Sequence, residues 1–157
     1  TGVWSLGLLL IGSLFAATSL PAAEQDNWYL ANEWNVSDAN GIAYKVKASS
    51  GKALIYVSNI NNRLDIFETN GTLNQTISGP YRVRDVAVDD NGTIFLAEER
   101  RVSSYDQNGN LLWRLGKDAN SGSGSGGSGN GEFSYVFGIA VSPEGEVFVA
   151  DRNNNCV

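Results

Sequence analysis

The sequence contains no histidine, no methionine and a single cysteine, Cys156. The absence of histidine excludes Ser-His-Asp and Cys-His catalysis, and histidine-ligated zinc, within this stretch of chain. One cysteine allows no disulfide among these residues, and we expect Cys156 to be a small, half-buried apolar side chain. Because methionine is absent from position 1, we also expect the sequence to begin inside a longer reading frame.

Positive charge is scarce as well, since 11 Lys and Arg face 17 Asp and Glu and the net charge is −6. An acidic surface repels phosphate groups, so nucleic acids and anionic membrane surfaces are disfavoured as partners. The nearest approach to a basic patch consists of Arg82, Arg84, Arg100 and Arg101, which acidic residues interrupt. The hydrophobic content of 42% nevertheless predicts a packed core rather than a disordered chain.

Residues 1–23 carry no charge at all, and an apolar run over residues 3–17 is followed by small residues before the acidic Glu24. This arrangement predicts a secretory signal peptide that is cleaved between Ser19 and Ala23. The alternative is an uncleaved membrane anchor, because the run approaches the roughly 17 to 20 residues that a membrane span requires. Both interpretations predict that the rest of the chain is secreted or periplasmic.

The remaining sequence repeats one pattern three times: a strand, a tight turn, a strand, a polar loop and a strand. The strands alternate apolar with polar residues, and the turns contain Ser-Gly, Asn-Gly or Glu-Gly. We align Ile55, Phe95 and Phe148 as equivalent residues, at intervals of 40 and 53 residues, and a Gly/Ser-rich tract at residues 121–131 lengthens the second interval. Strand-only repeats of about 40 residues predict an all-β fold of β-propeller blades.

The repeat motifs resemble those of the NHL-repeat family. The residues that carry the resemblance are Gly138-Ile139-Ala140-Val141, Val147-Phe148-Val149-Ala150-Asp151, Asn154-Asn155 and Asn61-Asn62-Arg63-Leu64. Cys156 stands where the family pattern has arginine, and Glu98 stands where it has aspartate. The resemblance implies a propeller of four-stranded antiparallel blades, six in the intact protein. This sequence would hold an incomplete arc of about three.

We therefore predict a signal peptide or anchor over residues 1–23 and a partial propeller over residues 24–157. Within the propeller, the predicted parts are a closing outer strand at 27–35, blades at 39–78 and 82–116, a Gly/Ser-rich interblade loop at 117–132 and a truncated blade at 133–157. The strand from Trp28 to Trp34 would complete the last blade of the ring. Closure would protect sheet edges that otherwise pair with other chains.

Three oxygen-bearing side chains occupy one place in the repeat, directly after an apolar strand: Asn59, Glu98 and Asp151. A side-chain oxygen at this place can accept hydrogen bonds from the backbone of the next loop, which is a structural role. The alternative is a ring of oxygens that binds a divalent cation, for which these three residues are weak candidates. No residue is identified as catalytic.

Arg84 and Asp85 begin the strand nearest the propeller channel and are the best candidates for a ligand contact. The alternative is a local ion pair between them. We align Ala39-Asn40 and Val136-Phe137 with this pair. The three pairs share no chemistry, so the pattern predicts no ring of identical ligands.

Two motifs are interpreted as connections. The Gly/Ser tract lacks the Gly-Lys-Ser/Thr ending of a phosphate-binding loop. In Asp89-Asp90-Asn91-Gly92 the glycine comes too early for a calcium loop, and Arg100 stands where the last carboxylate is needed.

The resemblance implies a binding or scaffold module outside the cell, with a protein, peptide or carbohydrate as the ligand and no evident cofactor. The alternative is a lyase or lactonase-like hydrolase that depends on a divalent cation such as calcium, held in the propeller channel. Asn59, Glu98 and Asp151 would supply only part of such a site. We expect no nucleic acid as a partner and no membrane contact beyond an N-terminal anchor.

Overall fold

The computed structural model describes residues 13–19, 28–46, 50–117 and 126–157. Every regular element within these ranges is a β-strand, so the described part of the chain is all-β. These residues include no helix with the length and hydropathy of a membrane span.

The strands form four antiparallel sheets. In chain order they are β1 (Ser13–Ser19), β2 (Trp28–Asn35), β3 (Ala39–Val46), β4 (Ala53–Asn59), β5 (Arg63–Glu68), β6 (Leu73–Ser78), β7 (Val83–Val88), β8 (Ile94–Glu98), β9 (Arg101–Tyr105), β10 (Leu111–Gly116), β11 (Val136–Val141) and β12 (Val147–Asp151). Blade 1 is β3-β4-β5-β6, blade 2 is β7-β8-β9-β10, and blade 3 is the pair β11-β12. The remaining sheet pairs β1 with β2.

The turns between strands follow from glycines that adopt a positive φ. Gly92 and Gly145 have φ of 82° and 88° and occupy the turns between the first two strands of blades 2 and 3. In the first of these turns, the N–H of Gly92 donates to the carbonyl of Asp89 at 3.2 Å, and the N–H of Asp89 donates to Thr93 at 3.1 Å. Glycine adopts this backbone conformation without the steric cost that other residues incur.

The blades stack face to face, and the apolar core lies between them. One buried cluster joins blades 1 and 2, with Leu54 and Tyr56 of β4 packed against Val86 of β7. A second cluster joins blades 2 and 3, where Phe95 of β8 packs with Ile139 of β11. Alternate residues of a strand face opposite sides of its sheet, so each blade presents one apolar row to each neighbour.

The strands β3, β7 and β11 lie beside one another and form the inner edge of the arc, the name we give to the three stacked blades. Each of the three begins with a register shift against its partner strand. Extra residues at a bulge bend a strand and re-aim its side chains. The start of every inner strand is therefore built in the same irregular way.

The register corrects two alignments by one residue. Ala43, Ala87 and Ala140 pair with Tyr56, Phe95 and Phe148, so the equivalent of the two phenylalanines is Tyr56 and not Ile55. A shift of one residue in a strand reverses the face of the sheet to which a side chain belongs. Accordingly, Tyr56 packs in the cluster with blade 2, whereas Ile55 lies in a cluster on the other face.

The second correction concerns the start of the inner strands. Ala39, Val83 and Val136 pair with Asn59, Glu98 and Asp151, respectively. Arg84-Asp85 is thus equivalent to Asn40-Gly41 and Phe137-Gly138. The alignment with Ala39-Asn40 and Val136-Phe137 was wrong by one residue, because it was not counted from the first paired residue of each inner strand.

Most of the predicted signal segment, residues 1–12 and 20–23, lies outside the described residues. Its described part, Ser13–Ser19, is β1 and pairs with β2. Residues 28–35 form a strand, and β1 is its partner here. Its role in closing a complete ring therefore stays a prediction. Of the predicted interblade loop, residues 118–125 also lie outside the described residues.

The expectation that Cys156 is half-buried was wrong, since its side chain is exposed. Its backbone forms a bridge with Asp151 at the end of blade 3. This bridge holds the main chain of Cys156 against the blade without covering the thiol.

Candidate ligand-binding face

One edge of the arc carries the connections that lead from one sheet to the next, and we call it the loop face. In each blade the segment before the inner strand meets the loop that follows the second strand. In blade 1 the N–H of Ile60 donates to the carbonyl of Asp38 at 3.4 Å, and in blade 3 the N–H of Arg152 donates to Tyr135 at 2.9 Å. The tight turns, such as that at Gly92, lie at the opposite edge because successive strands run antiparallel.

Asp151 joins the two loops of blade 3 beneath the loop face. Its carboxylate accepts hydrogen bonds from the N–H groups of Ser134 at 2.8 Å and Tyr135 at 2.9 Å, and from the side-chain amide of Asn154 at 2.8 Å. Burial raises the pKa of Asp151, but these hydrogen bonds outweigh burial and hold the pKa below its ordinary value. The carboxylate is therefore ionised at neutral pH and fastens the loops to the blade.

Glu98 performs the same task in blade 2 and is fully buried. Its carboxylate accepts from the N–H of Tyr81 at 2.5 Å and from Nε of Arg101 at 2.7 Å, and the hydroxyl of Ser103 donates to its other oxygen. A guanidinium nitrogen of Arg101 completes a buried ion pair at 2.5 Å. The charge of Glu98 is thus neutralised within its own blade.

Asn59 is the equivalent residue in blade 1. Its amide nitrogen donates to the carbonyl of Ser37, and its amide oxygen accepts from the N–H of Asn61 at 2.6 Å. Because each of the three equivalent residues bonds within its own blade, the structure does not bring them together as a cation site. The described residues contain no group of three or more Asp, Glu, Cys or His side chains that could hold a metal ion.

Asp85 lies among the inner strands of all three blades. One carboxylate oxygen accepts from the N–H of Ile139 in β11 at 3.0 Å, and the other accepts from the N–H of Val86 at 2.9 Å. A Cβ added to Gly41 of β3 would meet Asp85 Oδ1 at 2.5 Å and Asp85 Cα at 2.7 Å. Both oxygens of Asp85 therefore serve contacts within the arc, and its predicted ligand contact stays a prediction.

Arg84 does not pair with Asp85. Its Nε is buried and has no hydrogen-bond partner among the described residues, and its guanidinium carbon lies 5.2 Å from the ring centroid of Tyr135. The ring of Tyr135 is stacked on that of Phe137, with the centroids 6.3 Å apart and the planes inclined by 26°. The guanidinium of Arg152 lies 6.0 Å from the centroid of Phe137. These spacings suit cation–π and offset aromatic contacts.

Arg84, Tyr135, Phe137 and Arg152 thus form a continuous row along the loop face, which we call the arginine–aromatic row. Phe137 is 55% exposed, and Arg152 is exposed beside it. Sequence analysis found only Arg84 of these four residues. The equivalence of Phe137 with Arg84 at the bulge was the available signal, and the one-residue error in alignment obscured it.

The two arginines of the row differ electrostatically from others on the loop face. Arg63, Arg82 and Arg101 form ion pairs with carboxylates. In the described parts of the chain, neither Arg84 nor Arg152 forms one. Their positive charges are therefore free for an external anion.

A separate cleft of 420 Å³ lies on the face of blade 1 that points away from blade 2, and Val36, Phe67 and Leu73 supply its apolar lining. At its floor, Asp65 accepts from Nε of Arg63 and from the hydroxyl of Thr76, each at 2.8 Å. Because these polar side chains satisfy one another, the cleft is a weaker candidate site than the row.

The sequence of blade 3 matches a known repeat family. Residues 133–157 match the model of the NHL repeat. The chain therefore contains an NHL repeat at these residues. Three of the four antiparallel sheets form an incomplete propeller arc, as the sequence predicted.

Solved structures of propeller proteins show the same fold at low sequence identity. They include the Chaetomium thermophilum polycomb repressive complex 2 (TM-score 0.66, 12% identity, 88% of this chain and 30% of that chain). They also include Kuenenia stuttgartiensis hydrazine synthase (0.54, 16%, 72% and 29%) and the dihydro-heme d1 dehydrogenase NirN in complex with DHE (0.54, 14%, 81% and 26%). This chain spans less than a third of each of those chains, and no curated protein matches its sequence.

Proposed function

We propose that this NHL-repeat chain is part of an extracytoplasmic binding module, with the loop face as the surface that contacts a protein, peptide or carbohydrate. The observation that carries the proposal is the arginine–aromatic row. It combines exposed aromatic surface with guanidinium groups that no described carboxylate neutralises. Binding surfaces in proteins are enriched in aromatic residues and arginine. The location outside the cytoplasm rests on the uncharged segment at residues 1–23.

The alternative function, an enzyme that depends on a divalent cation, has less support. Its three candidate ligands, Asn59, Glu98 and Asp151, already bond to the loops of their own blades. A cation would have to displace those hydrogen bonds and draw together side chains from separate sheets.

Two matched variants test the proposed function. Phe137 and Leu73 are almost equally exposed, at 55% and 54%, but Phe137 lies on the loop face and Leu73 lies beside a tight turn. The chain is screened on peptide and glycan arrays, and every ligand found is retested with Phe137→Ser and Leu73→Ser. We expect Phe137→Ser to weaken binding about tenfold or more, since the loss of a large apolar anchor costs on the order of 2 kcal/mol. Leu73→Ser should bind like the unchanged chain.

The proposal fails if no array ligand binds, or if both substitutions have the same effect on every ligand. Hydrolysis or lyase activity that requires an added divalent cation, and that survives Phe137→Ser, would instead support the enzyme.

A further inference from the structure

We infer that the ligand of the arginine–aromatic row is an acidic peptide segment whose carboxylates bind the guanidinium groups of Arg84 and Arg152. The inference rests on the proposed function and adds the chemical class of the ligand. It begins from the two arginines that have no ion-pair partner within the described ranges. Such groups form stronger hydrogen bonds with anions than with neutral acceptors.

The planar guanidinium fork fits a carboxylate, with two parallel N–H donors facing two oxygens. Arg84 adds a specific donor, because its buried Nε has no hydrogen-bond partner among the described residues. A buried donor without a partner is costly. A ligand oxygen that reaches this Nε would satisfy it.

The aromatic rings favour a peptide over a nucleobase. The rings of Tyr135 and Phe137 stack on each other. The guanidinium of Arg84 lies over the ring of Tyr135, and that of Arg152 lies over the ring of Phe137. Each ring therefore already contacts another ring and a guanidinium. Nucleobases bind aromatic residues chiefly by stacking on ring faces, where they would compete with these contacts. The row instead offers ring edges, which carry partial positive charge, and guanidinium donors.

The spacing of the row suits an extended segment. The steps from Arg84 to Tyr135, from Tyr135 to Phe137 and from Phe137 to Arg152 are 5.2, 6.3 and 6.0 Å. An extended chain advances about 3.3 Å per residue and directs alternate side chains to one side. Acidic residues at alternating positions could thus reach both guanidiniums while apolar side-chain atoms contact the ring edges.

The test uses a tetramethylrhodamine-labelled decapeptide of alternating Glu and Ser, with fluorescence anisotropy as the readout and the whole 157-residue chain as the receptor. We expect saturable binding that weakens in 0.5 M NaCl and is absent for the peptide with Gln in place of Glu. Arg84→Gln and Arg152→Gln should each raise the Kd about tenfold. A tenfold change in Kd equals about 1.4 kcal/mol of binding free energy. Arg84→Lys keeps the charge without the fork and should raise it about threefold.

Arg114→Gln is the matched control. It removes one positive charge from the exposed strand β10, where Arg114 donates to the hydroxyl of Tyr105 at 3.1 Å. Its Kd should stay within twofold of the unchanged chain, and circular dichroism checks that each variant keeps its strands.

The inference is overturned if Arg114→Gln weakens binding as much as the row variants, because that result shows a general charge effect. It is also overturned if an oligogalacturonate or a single-stranded oligonucleotide of equal charge binds more tightly than the peptide. If array ligands that depend on Phe137 prove to be neutral, this inference fails while the proposed function stands. If no ligand depends on Phe137, both fail.

Discussion

Replacing Gly41 with alanine should push blades 1 and 2 apart at the inner edge of the arc. The added Cβ would lie 2.5 Å from Asp85 Oδ1, 2.7 Å from Asp85 Cα and 3.0 Å from the carbonyl oxygen of Arg84. Two of these three atoms belong to the backbone of β7, so a change of side-chain rotamer cannot relieve the overlap. Gly41 has no positive φ, and the effect is therefore one of space and not of backbone conformation.

The equivalent glycine of blade 3 provides a control for the same chemical change. At Gly138 the added Cβ would meet only the Cβ of Ala150 at 3.7 Å and Asp85 Oδ2 at 3.8 Å, which are ordinary contacts. Overpacking costs about 1–3 kcal/mol, and a compatible Gly→Ala change gains about 0.4–1 kcal/mol from the unfolded state. We expect Gly41→Ala to destabilise the chain by about 2 kcal/mol and Gly138→Ala to leave it unchanged or slightly more stable.

Urea unfolding followed by tryptophan fluorescence measures both free energies, and thermal unfolding should place Gly41→Ala roughly 5–10 °C below Gly138→Ala. Asp85→Gly removes the contact with Oδ1 but not the contact with Cα, and it also removes the hydrogen bonds that the Asp85 carboxylate accepts. Gly41→Ala should therefore cost less in the Asp85→Gly background than in the unchanged chain, without becoming neutral. Equal stabilities for Gly41→Ala and Gly138→Ala would refute the reasoning, because the two sites differ only in what the new methyl group meets.

The buried acids provide two further predictions. Glu98→Gln should cost about 3–5 kcal/mol of unfolding free energy, because it leaves the buried guanidinium of Arg101 without its anionic partner. Glu99→Gln is the control and should cost less than about 1 kcal/mol, because Glu99 pairs with the half-exposed Arg82. Similar losses in urea unfolding would contradict the assigned role of Glu98. Asp151 has a lowered pKa when folded, so its contribution is complete above its unfolded pKa of about 3.9 and is lost as the pH falls through the folded value. Unfolding midpoints between pH 6 and pH 3 should fall less steeply for Asp151→Asn than for the unchanged chain, and parallel slopes would argue against this linkage.

The architecture was predictable because local signals agreed with one another. The short apolar run of β-branched and aromatic residues in Val147–Asp151 predicts a strand, and the Glu-Gly pair before it predicts a tight turn. The repeat predicts that such strands stack as blades. Each signal needs only neighbours in the sequence. The same holds for Asp151, whose place after an apolar strand predicts a loop-fastening carboxylate.

The residue-level register was not predictable in the same way. Paired residues of the first hairpin lie 13 apart in blade 1, at Ala43 and Tyr56, but 8 apart at Ala87 and Phe95 of blade 2. Counting along the sequence therefore misplaces equivalent residues, and one residue is enough to exchange the faces of a strand. Ile55 was assigned the place of Tyr56, and the pair Arg84-Asp85 was set against the wrong partners. The correct equivalence becomes visible only in the pairing of the strands.

The correct register also explains why the candidate site lies beside Asp85 and not on it. In blades 1 and 3 the residue after the bulge is glycine, and in blade 2 it is Asp85, whose carboxylate accepts the N–H of Ile139. This bond fixes the inner strand of blade 3 against that of blade 2, and with it the position of Phe137, two residues before Ile139. Arg84, at the bulge, is left without its neighbour's charge and meets Tyr135 instead. Asp85 is thus a positioning residue for the arginine–aromatic row. Because the Asp85 carboxylate bonds to Ile139, it does not neutralise the positive charge of Arg84.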